Sequence, residues 1–370
     1  MRIVFDHQVF GWQEYGGVSR YIYELARALT SDHDSDVHVV SPLYVNQYLK
    51  QSTDGLKVWG LPIPRIPKTV KITHLANSLL AWPLVKHLVP DLIHETYYAE
   101  SPLAPKNVKV VLTVHDMIHE RFPDSFAPTD PTHREKKAAV ARADHVICVS
   151  RQTQRDLIEL FRVDPAKTSV VYHGVTLTTK APEACAATEG RPYLLYVGRR
   201  DGYKNFDGLL RATASSSRLR ESQRIVCFGG GALTAREKAR ARELGISDDG
   251  LCQVSGTDAI LLGLYRHARV FVYPSMYEGF GIPPLEAMHC DCPVACSNRS
   301  SIPEVVGDAS AQFDPADVNE MRTVLEDLVE NEPRRLSLIR SGRERVKMFT
   351  WKRCALETLG IYERVLSDGP

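Results

Sequence analysis

The chain has 370 residues, 44% hydrophobic and 25% charged, the usage of soluble folded domains rather than of a disordered chain. With 46 Lys plus Arg against 45 Asp plus Glu, the net charge is +1, which leaves no broad basic surface and excludes nucleic acid as the main partner. No run of about 18 apolar residues exists, so a membrane-spanning helix is excluded, and two domains are expected at this length.

The first six residues turn acidic too soon for a signal peptide and read as a buried strand over 3–5. A helix over 18–29 follows, with Val18, Tyr21, Ile22, Leu25, Ala28 and Leu29 at helical spacing. Strands are predicted over 37–40, 91–94, 108–115 and 144–149, then a helix over 151–161 and a strand over 167–172. The stretch 174–191 is poor in apolar residues and reads as a linker. The alternation restarts with strands over 193–197, 225–228, 251–254, 270–273 and 294–296. Helices are predicted between them over 206–214, 232–244 and 260–267, and one opens at Pro283-Pro284. Helices over 321–365 finish the chain, and the last, over 351–365, is free to return to the first domain. Continuous apolar strands alternating with helices specify α/β architecture with parallel sheets covered on both faces. Two doubly wound, Rossmann-like domains are expected to face each other across a cleft at their strand ends.

Eight cysteines in a chain without an export signal read as reduced thiols of a cytosolic protein. Cys290, Cys292 and Cys296 lack the second pair a zinc finger needs, so they read as packing residues. His115 and His119 have a spacing used by zinc ligands on helices. The β-branched run 110–114 makes His115 the end of a strand, which weakens that reading, and no metal site is expected.

Three loops carry chemistry. Gly16-Gly17-Val18-Ser19-Arg20 opens the first helix and is either a plain turn or an anion site at a helix start. Gly198-Arg199-Arg200-Asp201-Gly202-Tyr203-Lys204-Asn205 follows a strand, where fixed cations near a helix start suit a diphosphate. Glu278-Gly279-Phe280-Gly281-Ile282-Pro283-Pro284-Leu285-Glu286 combines a flexible backbone with two carboxylates, natural acceptors for sugar hydroxyls. Pro283 and Pro284 suit a first helical turn, which places Glu286 inside that turn.

Together these residues resemble the retaining, family-4 nucleotide-sugar glycosyltransferases of the GT-B fold, over nearly the whole chain. Glu278 to Glu286 is similar to that family's Glu-x7-Glu signature, with Tyr273-Pro274-Ser275 before it. Gly198-Arg199 with Lys204-Asn205 resembles its diphosphate loop, Gly16-Gly17 with Arg20 its amino-terminal glycine loop, Val114-His115-Asp116 its strand-end histidine, and His173-Gly174-Val175 the motif before the linker. The resemblance implies an acceptor-binding domain over 1–176 with the helix 350–370 returning to it, a linker over 177–190, and a nucleotide-sugar domain over 191–349. It implies that Arg199 and Lys204 neutralise the leaving diphosphate. Glu286 would bind the donor ribose; Glu278 with Gly279, Phe280, Gly281 and Ile282 would bind the transferred sugar. His115 would contact the sugar near its reacting carbon, Gly16 and Gly17 would lie beside the phosphate and help admit the acceptor, and Arg20, Gly198 and Asn205 would also bind substrate. Asp116 either acts on the acceptor hydroxyl or orients its neighbours.

Cations at the departing diphosphate make a divalent ion unnecessary, so no cofactor and no metal is expected. The segment 5–8, the glycine loop and the segment 298–304 resemble bacterial polysaccharide and O-antigen mannosyltransferases. The implied donor is GDP-mannose, with a UDP-hexose as alternative, and the implied acceptor is a saccharide or a lipid-linked saccharide. A nucleotide-sugar epimerase and a non-catalytic sugar-binding protein of the same architecture are the competing readings. The expected location is cytoplasmic. Between 61 and 90, prolines and basic residues flank an apolar stretch, which suits either peripheral contact with the inner membrane face or, as favoured here, packing of Leu79, Leu80, Trp82, Leu84 and Val85 into the first domain.

Overall fold

Among the described residues, thirteen strands pair in parallel to form two sheets. The computed structural model describes all residues but 34, 53, 54, 68, 177–180, 184, 186–188, 201 and 368–370, and omits the side chains of 32, 33 and 71. The first sheet contains β1 (Arg2–Phe5), β2 (Asp36–Tyr44), β3 (Lys57–Pro62), β4 (Leu92–Glu95), β5 (Lys109–Val114), β6 (His145–Cys148) and β7 (Thr168–Val170). Their order is β3-β2-β1-β4-β5-β6-β7. The second contains β8 (Tyr193–Val197), β9 (Arg224–Phe228), β10 (Leu251–Val254), β11 (Val270–Tyr273), β12 (Val294–Ser297) and β13 (Ala311–Phe313), ordered β10-β9-β8-β11-β12-β13. Strand order reverses once in each sheet, between β1 and β4 and between β8 and β11. Such switch points open a crevice beyond the strand carboxyl ends, where ligands of doubly wound sheets bind.

The chain divides into two compact units, Met1–Gly174 with Phe349–Pro370, and Val175–Met348. Each holds one sheet. Of the expected linker, 177–180, 184 and 186–188 lie outside the described residues. The central strands are buried end to end: β11 and β12 are buried throughout, as their unbroken apolar runs require of a sheet covered on both faces.

Among the elements outside the sequence expectation, three bear on the sheets and their cover. Strand β3 carries Gly60 and ends at Pro62; on a sheet edge both are tolerated, because one side needs no ladder bonds. Strand β13 spans only three residues. The helix Thr132–Arg142 is almost wholly polar on its outer face and leaves only Lys136, Ala139 and Val140 buried, too few for a clear apolar period.

The helix Val70–Leu88 corrects the packing expected for the apolar stretch after residue 61. Ala81, Val85 and Leu88 enter a core with Val4, Val40 and Ile93, but Leu79, Leu80 and Trp82 stay in solvent. The carboxyl-terminal helix Trp351–Ser367 belongs to the first unit. Its Trp351, Cys354, Ile361 and Tyr362 share a core with Ile3, Phe5, Tyr21 and Ile22. Gly174 makes the close approach possible: a Cβ there would sit 2.4 Å from the Trp351 nitrogen and 2.6 Å from its ring. Gly174→Ala therefore forces the helix off its seat, at a cost of about 1–3 kcal/mol. Thermal unfolding followed by circular dichroism is expected to shift down by several degrees; an unchanged midpoint would show that the helix is not seated through this contact.

Candidate active site

The loops that leave β8 and β11, neighbours at the switch point of the second sheet, meet through an ion pair. Lys204 Nζ donates to both carboxylate oxygens of Glu278, at 2.7 and 2.9 Å. The side chains are 18% and 8% exposed, so the charges are largely out of water. A desolvated pair is costly unless its geometry is good and its remaining lone pairs are satisfied. Here both conditions hold. Tyr273 hydrogen-bonds the Glu278 carboxylate, and burial together with that carboxylate pushes the phenol far above its usual range, so it stays a donor. The ammonium also lies 5.3 Å from the Tyr203 ring centroid and 5.7 Å from that of Tyr273.

The backbone of Glu278 is fixed from the loop after β12. Ser300 Oγ donates to the Glu278 carbonyl at 2.7 Å and accepts from its N–H at 3.3 Å. Ser301 Oγ reaches the carbonyls of Glu278 and Phe280, each at 2.9 Å. Ser300 adopts φ +58°, an uncommon left-handed conformation for a serine, of the kind that clusters at functional sites. On the other side, Met276 N–H donates to the Tyr203 carbonyl at 2.7 Å and joins the two loops directly.

Gly281, at φ +104°, caps the helix Ile282–His289. The helix thus starts at Ile282, ahead of the proline pair, and Glu286 is its fifth residue. This corrects the expectation that Glu286 lies in the first turn: a left-handed glycine two residues before Pro283 ends the loop, so the helix opens at Ile282. Glu286 is half-buried, with Oε2 3.4 Å from the Tyr265 hydroxyl. Gly279 and Phe280 lie between the two glutamates, and Phe280 is buried.

The neighbouring arginines divide their work. Gly198, at φ +127°, turns the chain so that Arg200 folds back and buries its side chain. Its guanidinium pairs with Glu237 at 2.7 Å and donates to the carbonyls of Gly229, Gly231 and Ala232. Arg199 is exposed and, with Gly202, Gly230, Thr234 and Arg240, lines a cavity of about 940 Å³. Asn205 has an architectural position: its amide donates to the carbonyls of Pro274 and Pro315, and it caps the helix Phe206–Ala214 with φ +55°. Sequence reasoning passed over Arg200, Tyr273 as a carboxylate donor, and the serine pair. The glycine triplet 229–231 after β9 was the available signal for Arg200, and two serines after β12 the signal for the clamp on Glu278.

In the first unit, Gly16 precedes the helix Gly17–His33, where the side chain of Gln13 accepts from Ser19 N–H at 2.8 Å. One N–H of that helix start is therefore already satisfied by protein. Arg20 N–H donates to the Gly16 carbonyl at 3.0 Å. His115 directly follows β5, as its strand-end reading requires. Its N–H donates to the Tyr98 hydroxyl at 3.3 Å, its ring meets Tyr21 edge-on at 5.2 Å, and among the described residues its shielded Nε2 meets no hydrogen-bond partner. Asp116 Oδ1 accepts from Ile118 N–H at 3.0 Å and lies 3.8 Å from Lys136 Nζ. Lys136 is fully buried and reaches the Asp116 carbonyl and the Glu120 carboxylate at 3.0 and 2.8 Å. These contacts fix the Asp116 side chain beside the strand-end histidine. His119 stacks on Phe126 with centroids 3.7 Å apart. Among the described residues no cluster of His, Cys, Asp and Glu has the arrangement of a metal site.

Two family models cover most of the chain: Glycosyltransferase Family 4 over residues 15–179 and Glycosyl transferases group 1 over residues 178–345. The chain is 32% identical over 275 residues to O-antigen chain mannosyltransferase B of Escherichia coli, covering 69% of this chain and 70% of that protein. It is 25% identical over 314 residues to the serotype-specific mannosyltransferase WbdA of Escherichia coli, which matches 77% of this chain, and spans 38% of that protein's length. Sucrose-phosphate synthase from Thermosynechococcus elongatus has the same fold, with a TM-score of 0.76 at 21% identity over the full length of both chains.

The buried histidines of the first unit make its stability depend on pH. Burial pushes His115 down to about 4 and, with the nearby His115 adding to the effect, His94 down to about 3. His173 is lowered for the same reasons. Folded, these rings stay neutral; unfolded, each takes a proton near pH 6.5. The unfolded chain thus binds more protons below that pH, and stability falls as pH drops from about 6.5 toward 4. Urea unfolding between pH 7 and 4 is expected to show this loss, with a shallower slope in His115→Gln. Identical slopes in the two proteins would mean that His115 titrates normally.

Proposed function

The chain belongs to the group 1, family 4 glycosyltransferases of the GT-B fold, and from that footing we propose that it moves mannose from GDP-mannose onto a saccharide or lipid-linked saccharide, with retention of anomeric configuration, in cell-surface polysaccharide or O-antigen synthesis. The observation that carries this reading is the Lys204–Glu278 pair at the switch point of the second sheet. It sets a cation beside a carboxylate, the two groups that a sugar diphosphate needs. The names of the similar proteins support mannose and O-antigen.

Breaking the bond between sugar and phosphate leaves negative charge on the diphosphate and positive charge at the anomeric carbon. In this mechanism Lys204 leaves the carboxylate for the departing phosphate, and Arg199 adds a second cation. A preorganised contact of this kind is worth about 2.7–4 kcal/mol in the transition state. Glu278, freed of its lysine, accepts from the hydroxyls of the transferred sugar, and Glu286 accepts from the ribose. Ser300 and Ser301 hold the loop while the side chains exchange partners. His115, neutral at physiological pH, contacts the sugar near its reacting carbon. The acceptor attacks the face the phosphate is leaving, and that phosphate takes the acceptor's proton. No enzyme nucleophile and no divalent ion take part, and the reaction is placed in the cytoplasm.

Glu286→Ala removes a charged hydrogen-bond acceptor and is expected to weaken donor binding by about 1.5–3 kcal/mol. Calorimetric titration with GDP-mannose checks this, with UDP-glucose as comparison donor. Tighter binding of UDP-glucose would move the proposal to a UDP-hexose, and unchanged affinity in Glu286→Ala would remove the ribose role. Turnover that a chelator abolishes and only a divalent ion restores would overturn the metal-free step.

A further inference from the structure

Among the described residues, nothing covers the outward face of the helix Val70–Leu88. Among the described residues, nine of the fifteen large apolar side chains that are exposed fall between 61 and 89. On the helix they form a stripe: Ile72, Leu75, Leu79 and Trp82 are 69%, 63%, 69% and 51% exposed, and recur at the three- and four-residue spacing of one helical face. Lys86 continues the stripe, its ammonium 5.2 Å from the Trp82 ring centroid. The helix cannot roll to hide these residues. Asn77 on the opposite face clamps it to β2, accepting from Leu43 N–H at 2.7 Å and donating to the Leu43 carbonyl at 2.8 Å, while Ala81 and Val85 are fully buried behind it. A helix apolar on both faces, with one already packed, presents the other to a partner.

Charge selects that partner. From 55 to 90 the sequence has five Lys and Arg (57, 65, 68, 71 and 86), two His and no Asp or Glu, in a chain whose net charge is only +1. A second copy carries the same excess of positive charge over this segment, and the two would repel. An anionic surface would not. The helix Val70–Leu88 is about 28 Å long. No described helix is long and apolar enough to cross a membrane, so it suits lying in the plane of a bilayer rather than spanning it. A tryptophan with a lysine one turn later fits the interface, where the ring sits at the headgroups and the ammonium meets lipid phosphate. We infer that the Ile72–Leu75–Leu79–Trp82 stripe docks the first unit onto an anionic lipid bilayer. The inference rests on this surface alone and is independent of the donor chemistry.

Co-sedimentation of the full-length protein with vesicles tests it. The wild type is expected to sediment with vesicles of phosphatidylcholine mixed with phosphatidylglycerol, and far less with phosphatidylcholine alone. Trp82 emission is expected to shift to the blue on binding, a shift absent in Trp82→Phe. Leu79→Glu, a change at an exposed position that leaves the unfolding temperature as it was, is expected to weaken vesicle binding at least tenfold, and Lys86→Gln by about fivefold. The proposal is overturned if the wild type stays in the supernatant, if neutral vesicles bind as well as anionic ones, or if Leu79→Glu binds like the wild type. It is equally overturned if sedimentation velocity finds a dimer that Leu79→Glu dissolves while vesicles are ignored, because the occupant is then a second copy.

Discussion

A lysine and a glutamate held 2.7 Å apart, mostly out of water, are the constraint around which the second unit is arranged. Neither charge is tolerable alone at that depth, since an unpaired buried ion costs several kcal/mol. The fold brings them together from loops far apart in sequence, after β8 and after β11, strands that are adjacent only because the order of the sheet reverses there. A third loop, after β12, completes the seat through Ser300 and Ser301. The pair has two uses in the proposed reaction. In the free protein each charge keeps the other in place; with donor present, each has a better partner on the ligand. A site built this way is rigid in its backbone and exchangeable in its side chains.

Much of this was legible because parallel sheets write themselves plainly. Strands β8, β11 and β12 are unbroken apolar runs, and the loops after them carry glycines and charges that no core would hold. What was illegible has physical causes. Arg199 and Arg200 are identical neighbours, and only the turn at Gly198 decides which one folds back onto the glycine carbonyls and which stays in solvent. The hydrogen bonds of the Asn205 amide to two backbone carbonyls were not legible either, since Pro274 and Pro315 come from distant loops. Glu286 was read one residue too early in its helix because prolines suggest a helix start more loudly than the glycine that makes one.

The first unit shows the same limit at larger scale. A helix apolar on both faces reads as core, because periodicity cannot say how many layers will cover it; Asn77 fixes which face meets the sheet, and the other is left in solvent. The strand-end histidine was legible from the β-branched run before it. Its surroundings were not, since Tyr21, Tyr98, Lys136 and His173 come from distant segments. Together they keep His115 largely dry and neutral, and Asp116 anchored.

The exchange of partners at Lys204 is the central claim, and calorimetric titration of GDP into the wild type, Glu278→Gln and Lys204→Met tests it most directly. If Glu278 holds the lysine that the diphosphate must recruit, Glu278→Gln frees that cation and binds GDP about tenfold more tightly. Lys204→Met, lacking it, binds more weakly than the wild type. Equal affinity in all three proteins would contradict the account, for the ion pair would then have no part in gripping the phosphates.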